Sequence, residues 1–209
     1  FENQEEFDIF LQNVFTEIDG MEKRLACHHD GSMLLEKFLS KATGFQLRVF
    51  FDRISGEMAK LAAHRYASHV LEALIKRAEI IFAQEAESDS GQQEENLPSL
   101  PDMIVRFSSE IGSAFEDTLF NSWGSHVYRG LLTILSIERV LLFSVELETI
   151  FENVSMSPTK FLQSLCFDQF ASPAFQGILR TARTKKSPFL PTIISSLMGD
   201  SGPEFVKKA

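Results

Sequence analysis

The sequence predicts an all-α chain, folded as a curved superhelical array of stacked helical units, an α-solenoid. Three observations carry this expectation. Apolar residues recur at helical spacing: Phe7, Phe10, Leu11, Val14, Phe15 and Ile18 fall at i, i+3, i+4, i+7, i+8 and i+11, one stripe along a helix. No stretch alternates apolar and polar residues with β-branched enrichment, and no Asn-Gly hairpin signal occurs. A ten-residue phrase recurs four times, the mark of repeated units that bury a shared core.

A capping helix is expected over about residues 5–20, because the first stripe ends at the stop signal Asp19-Gly20. The first repeat, about 21–55, holds Asp30-Gly31-Ser32-Met33-Leu34-Leu35-Glu36-Lys37-Phe38-Leu39. It continues into a helix with Phe45, Val49, Phe50 and Ile54 on one stripe. The second, 57–84, holds Tyr66-Ala67-Ser68-His69-Val70-Leu71-Glu72-Ala73-Leu74-Ile75. The third, 103–152, holds Trp123-Gly124-Ser125-His126-Val127-Tyr128-Arg129-Gly130-Leu131-Leu132. The fourth, 157–198, holds Phe170-Ala171-Ser172-Pro173-Ala174-Phe175-Gln176-Gly177-Ile178-Leu179. Each phrase has a small residue, a Ser, a long polar residue four positions later, and then two apolar residues. Leu25-Ala26 and Leu61-Ala62 lie seven residues ahead of their Ser. A short helix, a polar-faced helix and a packing helix per unit follow from this order.

The Ser-to-Ser spacings are 36, 57 and 47 residues. The first suits a repeat of two or three helices. The excess in the second is largely the segment 85–101, which is polar, acidic and closed by two prolines. It has too little apolar surface to offset its ordering entropy, so a disordered insert is expected there. The smaller excess in the third implies a longer helix near Glu138–Glu152.

The net charge of −9 argues against a polyanionic partner until its location is considered. Residues 1–22 hold seven acids and no Lys or Arg, and residues 85–102 hold six more with no base. Without those thirteen acids the remainder carries +4, so the body of the chain is mildly basic. Two cysteines, Cys27 and Cys166, rule out a disulfide framework and fit a reducing compartment. Leu131–Phe151, the longest apolar stretch, carries Glu138 and Arg139 near its middle, so no membrane span is expected. The chain opens at Phe1 with no cationic, apolar leader and ends at Lys207-Lys208-Ala209; it is expected to be a segment of a longer protein.

Ser and the residue four later share a helix face, one turn apart. In stacked repeats such pairs form an evenly spaced ladder, with the residue after Ser projecting between rungs. That surface suits a single-stranded ligand read one base per repeat. Ser, Gly and Ala on a helix face equally serve close packing, and His69 and His126 equally serve as partners at repeat interfaces. The cluster Arg180, Arg183, Lys185 and Lys186 suits either a helix C-terminus or phosphate.

The phrases around Ser32, Ser68, Ser125 and Ser172 resemble the RNA-reading helices of Pumilio-type repeats. Their succession, EIDGMEKRLACHHDGSMLLEKFL, LAAHRYASHVLEALI, NSWGSHVYRGLLTIL and FASPAFQGIL, is similar to the nucleolar Pumilio-like assembly factors of the small ribosomal subunit. The resemblance covers roughly residues 5–200. It implies a location in the nucleus and nucleolus, and binding to single-stranded or partly structured precursor ribosomal RNA. It also implies restraint of processing near the 3′ end of the small-subunit rRNA, by a monomer that meets other pre-ribosomal assembly proteins. Carried over by position, Ser32 and Glu36 are edge-reading residues with Met33 in the stacking slot, and Ser68 and Glu72 repeat the pair with His69. A carboxylate accepts from both donors of the guanine Watson–Crick edge, so both repeats favour G. Ser172 with Gln176 resembles an adenine reader. Ser125 with Arg129, beside His126, departs from the commoner patterns; its cation suits acceptor-rich edges or phosphate. Met33 and Pro173 are poor stackers, so weak sequence selectivity is expected.

No phosphate loop, catalytic triad or carboxylate pair at catalytic spacing is present, so neither enzyme activity nor a cofactor is expected. Consecutive residues such as Cys27-His28-His29-Asp30 cannot all face one tetrahedral ion, so no metal site is expected and the run reads as a turn between helices. Ser157-Pro158-Thr159-Lys160 matches an acyl-enzyme motif without its partner motifs and reads as a Ser cap followed by Pro at the first helical position. The rival from another class is a protein-interaction scaffold without RNA contact, which the net charge of −9 favours.

Overall fold

The computed structural model describes residues 3–85, 97–138 and 140–199. Among these residues there are thirteen helices and no strand, as the apolar spacing predicts. In chain order they are α1 (Gln4–Glu17), α2 (Glu22–Ala26), α3 (His29–Leu39), α4 (Gly44–Ile54), α5 (Met58–Ala62), α6 (Ala67–Glu85) and α7 (Leu100–Ser113). Then come α8 (Phe115–Phe120), α9 (Gly124–Leu135), α10 (Leu141–Ser155), α11 (Thr159–Phe167), α12 (Ala171–Thr184) and α13 (Leu190–Met198).

After the capping helix α1, four units follow, each a short, a middle and an outer helix. The middle helices α3, α6, α9 and α12 pack side by side in that order. The outer helices α4, α7, α10 and α13 pack in a second layer in the same order. Between the layers runs one continuous apolar core, from Ala26 in the first unit to Ile193 in the last. This is the expected solenoid.

The high Phe content has a direct use here. Phe50, Phe51, Phe107, Phe143, Phe151 and Phe175 are fully enclosed. Phe51 meets Phe107 at 6.1 Å between ring centroids and Phe82 meets Phe143 at 5.5 Å, contacts that cross from one unit to the next. Burying each ring contributes on the order of 1.5–3 kcal/mol. The units therefore stand by stacking rather than singly.

Three expectations need correction. The helix α7 packs on α5 and between α4 and α10, so it completes the second unit instead of opening the third. The boundary drawn between 57–84 and 103–152 therefore separates one helix from its unit. The acidic insert, expected over 85–101, is narrower at both ends: Glu85 closes α6, while Leu100 and Pro101 open α7. Ser99 Oγ accepts from Asp102 N at 3.3 Å, and Pro101 occupies an early helical position where a missing donor costs nothing. Residues 86–96 of the expected insert lie outside the described residues. Finally, Ser157 does not cap α11; its hydroxyl donates back to Asn153 O at 3.2 Å, and Pro158 is the residue before the helix.

The longer spacing after the third phrase is shared: α10 has 15 residues where α4 has 11, α11 has 9 where α5 has 5, and α9 runs three residues further past its Ser than α3 does. No helix among the described residues is long and apolar enough to cross a membrane.

Candidate nucleic-acid interface

The four phrases open the four middle helices, and one local device starts each. The side chain four residues before the Ser accepts from the first turn. His28 Nδ1 accepts from Gly31 N at 3.5 Å, and His64 Nδ1 from Tyr66 N at 3.2 Å and Ala67 N at 3.3 Å. Asn121 Oδ1 accepts from Trp123 N and Gly124 N, both at 2.9 Å, and Asp168 Oδ1 from Phe170 N and Ala171 N, both at 2.8 Å. Each cap satisfies donors that a helix start leaves without partners. The sequence conceals this position because His, His, Asn and Asp share an acceptor but no identity.

The small residue of each phrase is a packing requirement. Gly31, Ala67, Gly124 and Ala171 are buried at the start of their middle helices. A Cβ added to Gly31 would collide with the carbonyl of Leu25 in α2. One added to Gly124 would lie 2.7 Å from Thr118 O in α8.

The next position changes the expected roles. Ser32, Ser68 and Ser125 are buried, and each hydroxyl donates to the carbonyl three residues back: His29 O at 2.9 Å, Arg65 O at 3.5 Å and Ser122 O at 3.4 Å. Enclosure and a local acceptor make Ser68 and Ser125 packing residues rather than edge readers, while Ser32, though buried, still lines a cleft on this face. Ser172 is half-buried and accepts from Gln176 Nε2 at 3.2 Å.

The remaining candidates do reach the surface. Met33, His69, His126 and Pro173 follow their Ser and are exposed. Glu36, Glu72 and Arg129 are half-buried and Gln176 is exposed. Three of the rungs are tied locally. His69 Nδ1 lies 3.8 Å from Glu72 Oε1, an ion pair when the imidazole is protonated. Arg129 Nη2 donates to His126 Nδ1 at 2.7 Å, and Gln176 bonds Ser172 as above.

Clefts along the middle-helix face collect these side chains. One, between α3 and α6, is lined by Glu36, His69 and Glu72 together with Lys76 and Arg77. A second shares Glu36 and His69 and adds Ser32, Met33, His29, Arg65, Tyr66 and Trp123. A third, between α9 and α12, is lined by Arg129, Gln176 and Arg180 among others. Ser68 and Ser125 line none of these three clefts, while His126 and Ser172 bond Arg129 and Gln176 of the third.

The charge along the face is graded. The first cleft holds two carboxylates beside two cations, whereas the third holds two guanidinium groups and no carboxylate. Arg129 Nε is buried without a hydrogen-bond partner. Arg77 is committed elsewhere: Nε donates to Ala42 O at 2.7 Å, and burial lowers its pKa. Lys185, from the basic cluster, donates to Ser136 O at 2.9 Å and lies 3.3 Å from Glu138.

Sequence reasoning passed over His29, Arg65, Tyr66 and Trp123. A signal existed, since the position two before Ser is aromatic in three phrases: Tyr66, Trp123 and Phe170. Among the described residues, no group of three or more His, Cys, Asp or Glu side chains could hold a metal ion.

Comparison with known proteins bears on this face. Residues 20–149 match the model of the NOP9-like PUF repeat domain. The chain is 33% identical over 147 residues to nucleolar protein 9 of Blastomyces gilchristii, taking in 67% of this chain and 22% of that protein. It is 31% identical over 142 residues to nucleolar protein 9 of Komagataella phaffii, taking in 65% of this chain and 22% of that protein. The chain thus spans about a fifth of the length of the curated relatives it matches. Among solved structures, APUM23-deletion-of-insert-region-GGAAUUGACGG superposes with a TM-score of 0.72 at 20% identity, covering 98% of this chain and 42% of that one. APUM23-GGAAUUGACGG gives a TM-score of 0.70 at 20% identity, covering 98% and 44%. At that identity the structural likeness carries the fold alone.

Proposed function

The chain belongs to the NOP9-like PUF repeat family, and from that premise we propose that it binds precursor ribosomal RNA in the nucleolus along the face of α3, α6, α9 and α12. The observation that carries this is the alignment, across successive units, of Glu36, Glu72, Arg129 and Gln176 at one register on the surface. Each side chain brings chemistry suited to a nucleotide. Glu36 and Glu72 accept from the paired donors of a guanine edge, and His69 stacks on a base. Gln176 both donates and accepts, as an adenine edge requires.

The acidic and basic ends of the face divide the work. A carboxylate beside a phosphodiester chain is repelled unless it gains donors in return, so Glu36 and Glu72 favour bases that offer two. Arg129 and Arg180 face no such conflict and hold phosphate. By mass action, RNA held on this surface is withdrawn from a nuclease, and in that way processing near the 3′ end of the small-subunit rRNA is restrained.

Fluorescence anisotropy with labelled single-stranded RNA tests the proposal. Replacing Glu36 and Glu72 together by Ala is expected to weaken binding to a G-containing oligomer about 10-fold or more, given roughly 1–3 kcal/mol per bidentate base contact. A U-only oligomer should lose less. Arg129→Ala should weaken all oligomers alike and reduce the salt slope by about one. If the wild-type chain binds no RNA at low salt and instead retains a basic protein, the scaffold alternative takes its place.

A further inference from the structure

We propose that the starts of α3, α6 and α9 form a stacking platform for one unpaired nucleobase, beside the base-reading positions Glu36 and His69 of the first two units. The inference rests on the RNA-binding reading above and adds four residues to it. Three successive units supply them: His29 is the first residue of α3, Arg65 and Tyr66 precede α6, and Trp123 precedes α9. All four line one cleft with Ser32, Met33, Glu36 and His69.

The cleft has the parts of a stacking platform. The Arg65 guanidinium lies over the Tyr66 ring at 5.3 Å. Tyr66 also meets the rings of His29 and His64 near edge-on, at 5.3 and 5.9 Å between centroids, so its plane is set by its neighbours. Trp123 is 37% exposed at the same cleft. An indole, a phenol and a guanidinium are the surfaces on which bases of single-stranded nucleic acids stack, with little regard to sequence.

The ligand class follows from what else lines the cleft. A cationic ligand, which an aromatic pocket alone would suit, meets Arg65 already in place. A purely aliphatic ligand would strip water from Arg65 and Glu36 and return no hydrogen bond. A nucleobase stacks flat, presents its edge to Glu36, and brings a phosphate within reach of Arg65.

Trp123 is the single tryptophan of the chain, so its emission reports on this cleft alone. The experiment titrates the protein with single-stranded RNA, recording tryptophan emission and, in parallel, the anisotropy of a label on the RNA. The expected result is quenching of at least a third that saturates with the anisotropy change and is lost when an abasic backbone of equal length replaces the RNA. Tyr66→Ala should weaken RNA binding roughly fivefold or more, for A-containing and G-containing oligomers alike, because stacking is sequence-tolerant. Anisotropy that rises with tryptophan emission unmoved overturns the stacking site and leaves the RNA-binding proposal standing. Equal quenching by the abasic backbone also overturns it, because phosphate alone then suffices. No anisotropy change at low salt removes both.

Discussion

Gly31 and Gly124 fix how closely α3 and α9 approach the short helices beneath them. An added methyl would meet backbone carbonyl there, and backbone cannot rotate aside as a side chain can. Gly31→Ala and Gly124→Ala should therefore each cost about 1–3 kcal/mol, the usual penalty of overpacking. Gly112, in α7, provides the contrast, since nothing lies within 4 Å of its would-be Cβ. Gly112→Ala should be neutral or stabilise by about 0.4–1 kcal/mol. Thermal melts followed by circular dichroism distinguish these cases; equal stability of all three variants would refute the close-approach account. At this scale the phrase was legible as a pattern but not as a set of roles. Its Ser looks like a surface hydroxyl in sequence, yet Ser32, Ser68 and Ser125 are buried and bond the backbone carbonyl three residues back, a difference from Ser172 that the phrase does not express.

Between elements, one carboxylate joins the first unit to the second. Glu110 of α7 accepts from Ser55 Oγ at 3.1 Å, Gly56 N at 2.8 Å and Met58 N at 3.1 Å, spanning the turn from α4 to α5. Gly56 stands at φ +80° in that turn, a conformation that favours glycine. Glu110→Ala leaves two backbone donors without their acceptor and should lower stability by about 1–3 kcal/mol in denaturant titrations. RNA selectivity should be unaffected, because Glu110 lies in the outer layer. Asp168→Ala should similarly cost about 0.5–2 kcal/mol by uncapping α12. Helix existence was readable from the apolar stripes; helix grouping was not. The start of α7 lies in Ser99-Leu100-Pro101-Asp102, where two prolines and acidic neighbours suggest a loop. The same residues are a Ser cap, an early Pro and an acid in the first turn, which is a helix start.

Over the whole molecule, a repeating phrase becomes a layered solenoid because every unit leaves apolar surface that only its neighbour can cover. The four phrases made that architecture legible, and the order of middle helices places the polar positions in one row. The charge grading along the row was only partly legible. Glu36, Glu72, Arg129 and Gln176 could be read by spacing, but Arg180, Trp123 and Tyr66 join the face through packing of neighbouring units, which linear spacing does not express. On the proposed function, RNA lies on the middle-helix face and the outer layer serves to cover the core. The most direct test is photo-cross-linking of the chain to single-stranded RNA carrying 4-thiouridine, with the linked peptides mapped by mass spectrometry. Cross-links within residues 29–40, 65–77, 123–136 and 172–181 are the predicted result. Cross-links confined to α4, α7 and α10, or none from an RNA that binds by anisotropy, would contradict it.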